Sequence, residues 1–207
     1  MKIIEIFREE EIGYNEICDF ADKIYLRELN FKITKFPEFL FAVKEDGIVL
    51  GCIGLNKSIN CSLFKRDERF IEFLKENDEF SFGEQSILAL EKNNSVALTP
   101  LITIMFEYAY HIGINKLTFA GIDVSIRVIK KAGFNICEYG LANQETLLKY
   151  EKDNFSKWFR LYNPVLCILN TSIVPPISKK VLERYSKKIT LSYKLKKEIE
   201  LYRNKRS

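Results

Sequence analysis

Apolar residues along the chain change their spacing repeatedly, and each change marks an element. Ile3, Ile4, Ile6 and Phe7 crowd residues 2–7, which read as a short strand. Ile17, Phe20, Ala21, Ile24, Tyr25 and Leu29 then recur three and four residues apart, so a helix capped by Asn15 is expected to run to about Leu29. Residues 39–43 and 48–55 are β-type runs joined by Lys44-Glu45-Asp46-Gly47. Asp-Gly supplies the positive φ of a tight turn, so these two strands are expected as antiparallel neighbours. Residues 62–75 mix charge with Phe64, Phe70, Ile71, Phe73 and Leu74 and read as an amphipathic helix or helical pair. Residues 80–90 form the longest central strand candidate. A long apolar helix follows over about 96–111, with Pro100 in its first turns, where a missing N–H costs least. Residues 116–122 read as a strand, 124–132 as a helix closed by Gly133, and 134–139 as a strand. The order is β-α-β-β-α-β-α-β-α-β, followed by a segment holding Trp158 and a basic helical tail, which is a mixed α/β layer architecture.

Composition narrows the class. Of the 207 residues 47% are hydrophobic and 29% charged, with sixteen Phe and ten Tyr against nine Gly and five Pro, which excludes a disordered or collagenous chain. The net charge of +4 is too small to mark the whole chain as a nucleic-acid binder. Its distribution is uneven. Residues 171–207 hold 11 Lys and Arg against 3 Asp and Glu, a net +8 that leaves −4 on residues 1–170. The expected organisation is therefore a domain over 1–170 and a basic C-terminal extension over 171–207. That extension reads as a solvated helix surface, or as a docking face for an acidic partner or an anionic lipid surface.

Cys18, Cys52, Cys61, Cys137 and Cys167 are scattered and odd in number, with no CxxC, so buried reduced thiols are expected rather than zinc or a disulfide framework. The first residues lack an apolar signal core and no window is long enough to span a bilayer, so a soluble cytoplasmic chain is expected. There is no P-loop and no dinucleotide-binding glycine fingerprint.

The element order, with Ala132-Gly133-Phe134 after a short helix, resembles the GNAT-type acyltransferases. More of the chain resembles one branch of them: the acyl-homoserine-lactone synthases, the N-acyl amino acid synthases and the thermostable hemolysin family. The likeness runs through residues 17–55, with Tyr25, Phe31, Phe36-Pro37, the turn at 44–47, Gly51 and Gly54. It continues in Gly83-Glu84-Gln85-Ser86, similar to a Glu-x-Ser/Asn signature on the fourth strand, and in residues 158–165, a late Trp-aromatic-Pro-Val element. The resemblance implies a GNAT-like central sheet flanked by helices. It further implies transfer of an acyl group, fatty in its size class, from an acyl carrier protein or acyl-CoA thioester to a small amine such as an amino acid. Two departures matter. The Arg/Gln-x-x-Gly-x-Gly/Ala loop that holds the coenzyme A pyrophosphate is replaced by Lys92-Asn93-Asn94-Ser95, and the Arg expected after Ser86 is Ile87. Both argue against acetyl-CoA as donor, and the second against lactone synthesis from S-adenosylmethionine.

Acyl transfer needs a base for the amine, donors for the developing oxyanion and a channel for the chain. Glu84 is the candidate base, because it interrupts the apolar strand of Phe80, Phe82, Ile87, Leu88 and Leu90, where burial would raise its pKa; otherwise it faces water at the strand entrance. Ser86 belongs to the same signature. Backbone N–H groups of Ile87, Leu88, Ala89 and Leu90 are candidate oxyanion or donor-binding groups, on the resemblance, if the strand bulges or splays there. Lys92, Asn93, Asn94 and Ser95 precede a helix N-terminus, which suits a phosphate of a phosphopantetheine arm and equally suits a capped surface loop. Asp123, Ser125 and Arg127 follow a strand end, where they could meet the acceptor, although Asp123 is equally a helix cap. Tyr108 and Tyr110 cannot share one helix face, so one of them could present a phenol. Phe82 and Trp158 are candidates for the substrate channel, where each buried methylene would contribute about 0.8 kcal/mol. His111, the single histidine, stands at a helix end and offers no triad. No metal is called for. A carrier protein is acidic and would meet Lys179, Lys180, Arg184 and their neighbours in the tail. The competing reading keeps the fold without catalysis and uses the tail on membranes, nucleic acid being supported only by charge.

Overall fold

Asp46 and Gly47 both stand at positive φ, 51° and 81°, which a two-residue hairpin turn demands. They join β2 (Phe39–Glu45) to β3 (Ile48–Asn56) as antiparallel neighbours. The computed structural model, which describes residues 1–77 and 79–206, extends one sheet on both sides of this hairpin. On one side β1 (Lys2–Arg8) lies antiparallel to β2, and β8 (Ile189–Leu191) is parallel to β1 at the edge. On the other, β4 (Phe82–Leu90) is antiparallel to β3 and β5 (Lys116–Gly121) parallel to β4. Beyond them β7 (Val165–Asn170) stands antiparallel between β5 and β6 (Ile136–Leu141). The order is β6-β7-β5-β4-β3-β2-β1-β8.

The two faces of this sheet differ. One carries the main core, in which alternate residues of the strands, Ile4 and Ile6, Phe39 and Phe41, Ile53 and Leu55, Leu117 and Phe119, meet α4 (Ser95–His111). That helix is apolar on nearly every side because it is covered on nearly every side: α5 (Asp123–Lys131), α7 (Val174–Tyr185) and α8 (Tyr193–Arg206) surround it. The opposite face is divided. α1 (Tyr14–Leu29) covers Leu40, Ala42, Cys52, Ile87 and Ala89, while α2 (Ser62–Lys65), α3 (Glu68–Glu76) and α6 (Lys149–Tyr162) cover Leu166 and Ile168. Phe155 of α6 packs on both clusters and spans the seam between them.

The mixed α/β architecture read from the sequence is the one the chain adopts. The residues read as an amphipathic helical stretch form the pair α2 and α3. The first helix begins two residues earlier than expected, because Gly13 at φ 93° turns the chain into it, rather than Asn15 capping it. β7, an uninterrupted apolar run that sequence reading left unassigned, separates β5 from β6. The basic tail is helical in α7 and α8 and adds β8 to the sheet. Val174, Val181, Leu195 and Ile199 are buried, so the segments divided by charge at Thr171 share one sheet, and the main core takes in Val174, Leu195 and Ile199.

Candidate active site

β4 and β5 are paired at Phe82, Gly83 and Glu84 only, against Lys116, Leu117 and Thr118. Beyond that point β5 turns its pairing wholly to β7, whose ladder runs from Lys116 to Gly121, and the two parallel strands part. Thr118 marks the fork: fully buried, its hydroxyl donates to the Gly83 carbonyl at 3.0 Å. A second irregularity lies just beyond it on β4. Leu55 opposes Gln85 and Ile53 opposes Leu88, so Ser86 and Ile87 together face the single residue Gly54, as in a β-bulge. The extra residue re-aims the strand. Glu84 and Ile87 would lie on opposite faces of a regular strand, and here both face the side that carries α1 and α6. Gly54 is required there, since a Cβ would stand 2.4 Å from Pro37 Cγ and 2.8 Å from Ser86 Oγ.

The fork and the seam between helices coincide in a cavity of about 470 Å³. Its walls are apolar, from Phe31, Phe36, Phe64, Ile87, Phe155 and Trp158, with polar groups from Glu84, Gln85, Ser86, Asn56 and Asn60, and with Lys32, Lys35 and Lys65 around it. Its size and mixed lining are those of a small-molecule site. The wall formed by residues 30–38 is held at three points. The Tyr14 hydroxyl donates to the Pro37 carbonyl at 2.6 Å, Ile33 N–H donates to Asp22 Oδ1 at 2.8 Å, and Glu38 N–H donates to Asn56 Oδ1 at 3.1 Å.

Glu84 is 4% exposed. Burial pushes its pKa up, against the pull of two backbone N–H groups and of Lys65 and Lys35. Both N–H groups, from Asn60 and from Cys61 at 3.0 Å, donate to Oε2, which fixes the carboxylate plane from the loop after β3. The strand-entrance alternative, a carboxylate facing water, does not describe this residue. Four residues on, Leu88 N–H points away from β3 and donates to the Tyr25 hydroxyl at 3.2 Å.

The residues singled out in the sequence separate into two groups. Glu84, Ser86, Ile87, Leu88, Ser125 and Trp158 line the cavity. The others do not. Ala89 is buried under α1 and Leu90 packs on the main core. Lys92, Asn93, Asn94 and Ser95 lie outside the lining, and their surroundings disfavour a phosphate: Lys92 pairs with Glu28 at 3.5 Å, and the neighbouring Glu91 pairs with Arg27 at 3.1 Å. Asn94 stands at the N-cap of α4 without a side-chain cap bond. Tyr108 faces the main core, where its hydroxyl accepts from Arg8 at 3.2 Å and donates to Glu198 at 3.0 Å; Tyr110 also lies off the lining. Phe82 stacks edge-on against Phe73 at 5.9 Å. Asp123 and Arg127 pair with each other at 2.5 Å on the exposed side of α5, and Ser125, which borders the cavity, donates to Ile122 O as a helix cap. His111 is buried on α4, with Nε2 3.5 Å from Glu107 Oε1. The cationic tail packs on the main-core face, opposite the cavity; Lys194 reaches the Ile6 carbonyl at 3.2 Å and Arg203 reaches Glu107 at 3.0 Å.

Sequence reasoning missed the cations at the cavity, Lys32, Lys35 and Lys65, and Phe155, whose ring meets Trp158 at 5.9 Å between centroids in the cavity wall. The alternation of cations with apolar residues in Phe31-Lys32-Ile33-Thr34-Lys35-Phe36 was the available signal, since the apolar members bury and turn the lysines outward. Cys18, Cys52 and Cys167 are buried, Cys61 is half-buried beside Glu84 and Cys137 is exposed. Among the described residues no cluster of His, Cys, Asp and Glu could hold a metal ion, and no helix is long and apolar enough to cross a membrane.

No protein-family model matches the chain, and no curated protein matches it in sequence. Solved structures do match in fold. The acyl-homoserine lactone synthase LasI superposes with a TM-score of 0.57 at 16% identity, over 86% of this chain and 94% of its own. BjaI, a CoA-dependent acyl-homoserine lactone synthase solved with SAM and isopentyl-CoA, gives 0.61 at 12% identity, over 93% and 94%. FeeM, an N-acyl amino acid synthase from uncultured soil microbes, gives 0.56 at 13% identity, over 84% and 92%. The chain therefore has the GNAT-like acyltransferase fold, in the form shared by the acyl-homoserine lactone synthases and FeeM.

Proposed function

We propose that the chain is an N-acyltransferase that moves an acyl group from an acyl-CoA or acyl carrier protein thioester to a small amine such as an amino acid. The observation that carries this reading is Glu84, a buried carboxylate of raised pKa, held by two backbone N–H groups at the fork between β4 and β5 and bordering a largely apolar cavity. A carboxylate in that setting is a competent base for an ammonium or amine nucleophile. The parted strands offer backbone N–H groups to the thioester, and Phe31, Phe64, Phe155 and Trp158 offer an acyl chain apolar surface. The structural neighbours named above support the same reaction class.

Two details follow from the arrangement. The phosphate of the donor's pantetheine arm is assigned to Lys32, Lys35 and Lys65, which border the cavity, rather than to residues 92–95. A carrier protein would dock over the same lysines, since the +8 segment packs on the other face of the sheet. The test is direct. The purified protein is mixed with acyl-CoA and acyl carrier protein thioesters of graded chain length and a panel of amino acids and simple amines, with free thiol and product mass as readouts. Thiol release matched by an N-acylated product supports the reading. A folded protein that yields no acylated product from any pair overturns it.

A further inference from the structure

The Leu88 N–H is one of the groups on β4 that would have bonded to β5 had the strands stayed together, and the structure gives it a side-chain oxygen instead. Tyr25, from the C-terminal half of α1, reaches across to accept it at 3.2 Å while bordering the same cavity as Glu84. The ring is fixed in place: its edge meets Phe31 at 5.3 Å between centroids, and Phe31 in turn meets Phe155 at 5.0 Å. An oxygen that accepts a backbone N–H keeps its own O–H proton for a second partner, and accepting one bond strengthens the one it donates. Residues 84 and 88 are on one strand, roughly 13 Å apart by strand rise before the shortening at the bulge, which leaves room between them for an amine and a bridging water.

We propose that Tyr25 is the hydrogen-bond donor to the thioester carbonyl oxygen in this site, its hydroxyl relaying the N–H of Leu88. The inference rests on the acyl-transfer reading above. In the step it serves, the amine lone pair attacks the thioester carbon and the C=O π pair moves onto oxygen, where the hydrogen bond from the Tyr25 hydroxyl shortens to meet the charge. The amine proton passes to Glu84 through water. The C=O bond then re-forms, the C–S bond breaks, and the thiolate leaves with its electron pair and takes the proton back from Glu84, so Tyr25 ends as it began. Burial pushes the phenol up to about 12, so it holds its proton throughout the neutral range and acts as a donor rather than a base.

The test compares Tyr25→Phe with the intact protein on a donor and amine pair that the intact protein turns over. The expected result is a fall in kcat of about 100-fold with KM changed little, the loss typical of one oxyanion donor. Replacement of Tyr25 by 3,5-difluorotyrosine, which keeps the hydroxyl and lowers its pKa, should restore kcat at neutral pH and bring in an alkaline limb that the natural residue does not show below pH 10. Unchanged or increased kcat in Tyr25→Phe, with a thermal midpoint near that of the intact protein, overturns the proposal and makes Tyr25 a plug over the N–H. If Tyr25→Phe does not fold, the difluorotyrosine profile decides alone: no alkaline limb overturns it. Absence of turnover by the intact protein would instead remove the acyl-transfer reading itself.

Discussion

Glu84 and Thr118 form the last pair along which β4 and β5 run side by side, and the strands part immediately beyond them. The buried hydroxyl of Thr118 holds that fork closed on one side by its bond to the Gly83 carbonyl. Thr118→Val keeps the shape and the ladder bonds and removes only the hydroxyl's bond, which should cost about 0.5–1.5 kcal/mol, the net worth of one hydrogen bond. Urea unfolding measures this. Acyl transfer should fall with it, since the backbone beside Glu84 loses one of the bonds that set the fork, and a variant as stable as the wild type would show that the fork is held elsewhere.

Glu84 should show itself in the pH dependence of kcat/KM. Its pKa is raised, first by burial, so the basic form is gained only as pH passes above the ordinary carboxylate range near 4.3. The acid limb should therefore lie above that range, and Glu84→Gln should abolish it. Stability follows the same sign. With the folded-state pKa above the unfolded one, the contribution of Glu84 is full below about 4.3 and is lost as pH rises through the folded value. The stability of Glu84→Gln relative to wild type should thus rise from pH 4 to pH 8 in paired denaturation curves.

Lys35 and Lys65 lower the pKa of Glu84 against its burial. Replacing both by Ala removes that pull, so the acid limb of the rate profile should move further up in pH. The same pair should raise the KM for a phosphorylated donor several-fold, because each cation near the cavity steers and holds an anion. Charge reversal of Lys179, Lys180, Lys187 and Lys188 in the tail should leave that KM unchanged. Initial-rate measurements over donor concentration distinguish the two sets.

Much of this arrangement was legible beforehand, and the remainder was hidden for definite reasons. Periodicity and Asp46-Gly47 gave the strands and helices up to Tyr139, because each buries one face and repeats accordingly. Glu84 was legible because a carboxylate within an apolar strand needs a reason. β7 was not, since a strand buried on both faces has no alternation to read. The bulge at Ser86 and Ile87 carries no Gly or Pro on its own strand; its marker is Gly54 on the neighbour, a cross-strand relation. Tyr25 counted as an apolar helix position in the sequence, and only the departure of β5 makes its hydroxyl the partner of Leu88. The apolar residues of the tail, Leu195 and Ile199 among them, form no single helical stripe, so their closing of the main core was not legible.

Gly54 should tolerate no side chain. A Cβ there would stand within 2.8 Å of both Pro37 and Ser86, so Gly54→Ala must push the 30–38 wall or the bulge aside. Overpacking of this kind costs about 1–3 kcal/mol, and the displaced wall should also raise KM for the acyl donor. A melting curve and a donor titration on the one variant check both effects.

The central claim is that Glu84 takes the amine proton within the cavity between β4 and β5. Single-turnover acyl transfer by the intact protein and by Glu84→Gln, under saturating donor and amine at neutral pH, tests it most directly. A loss of at least about 100-fold in the rate, with donor affinity retained, is the predicted result for a missing general base. Equal rates in the two proteins would contradict the account.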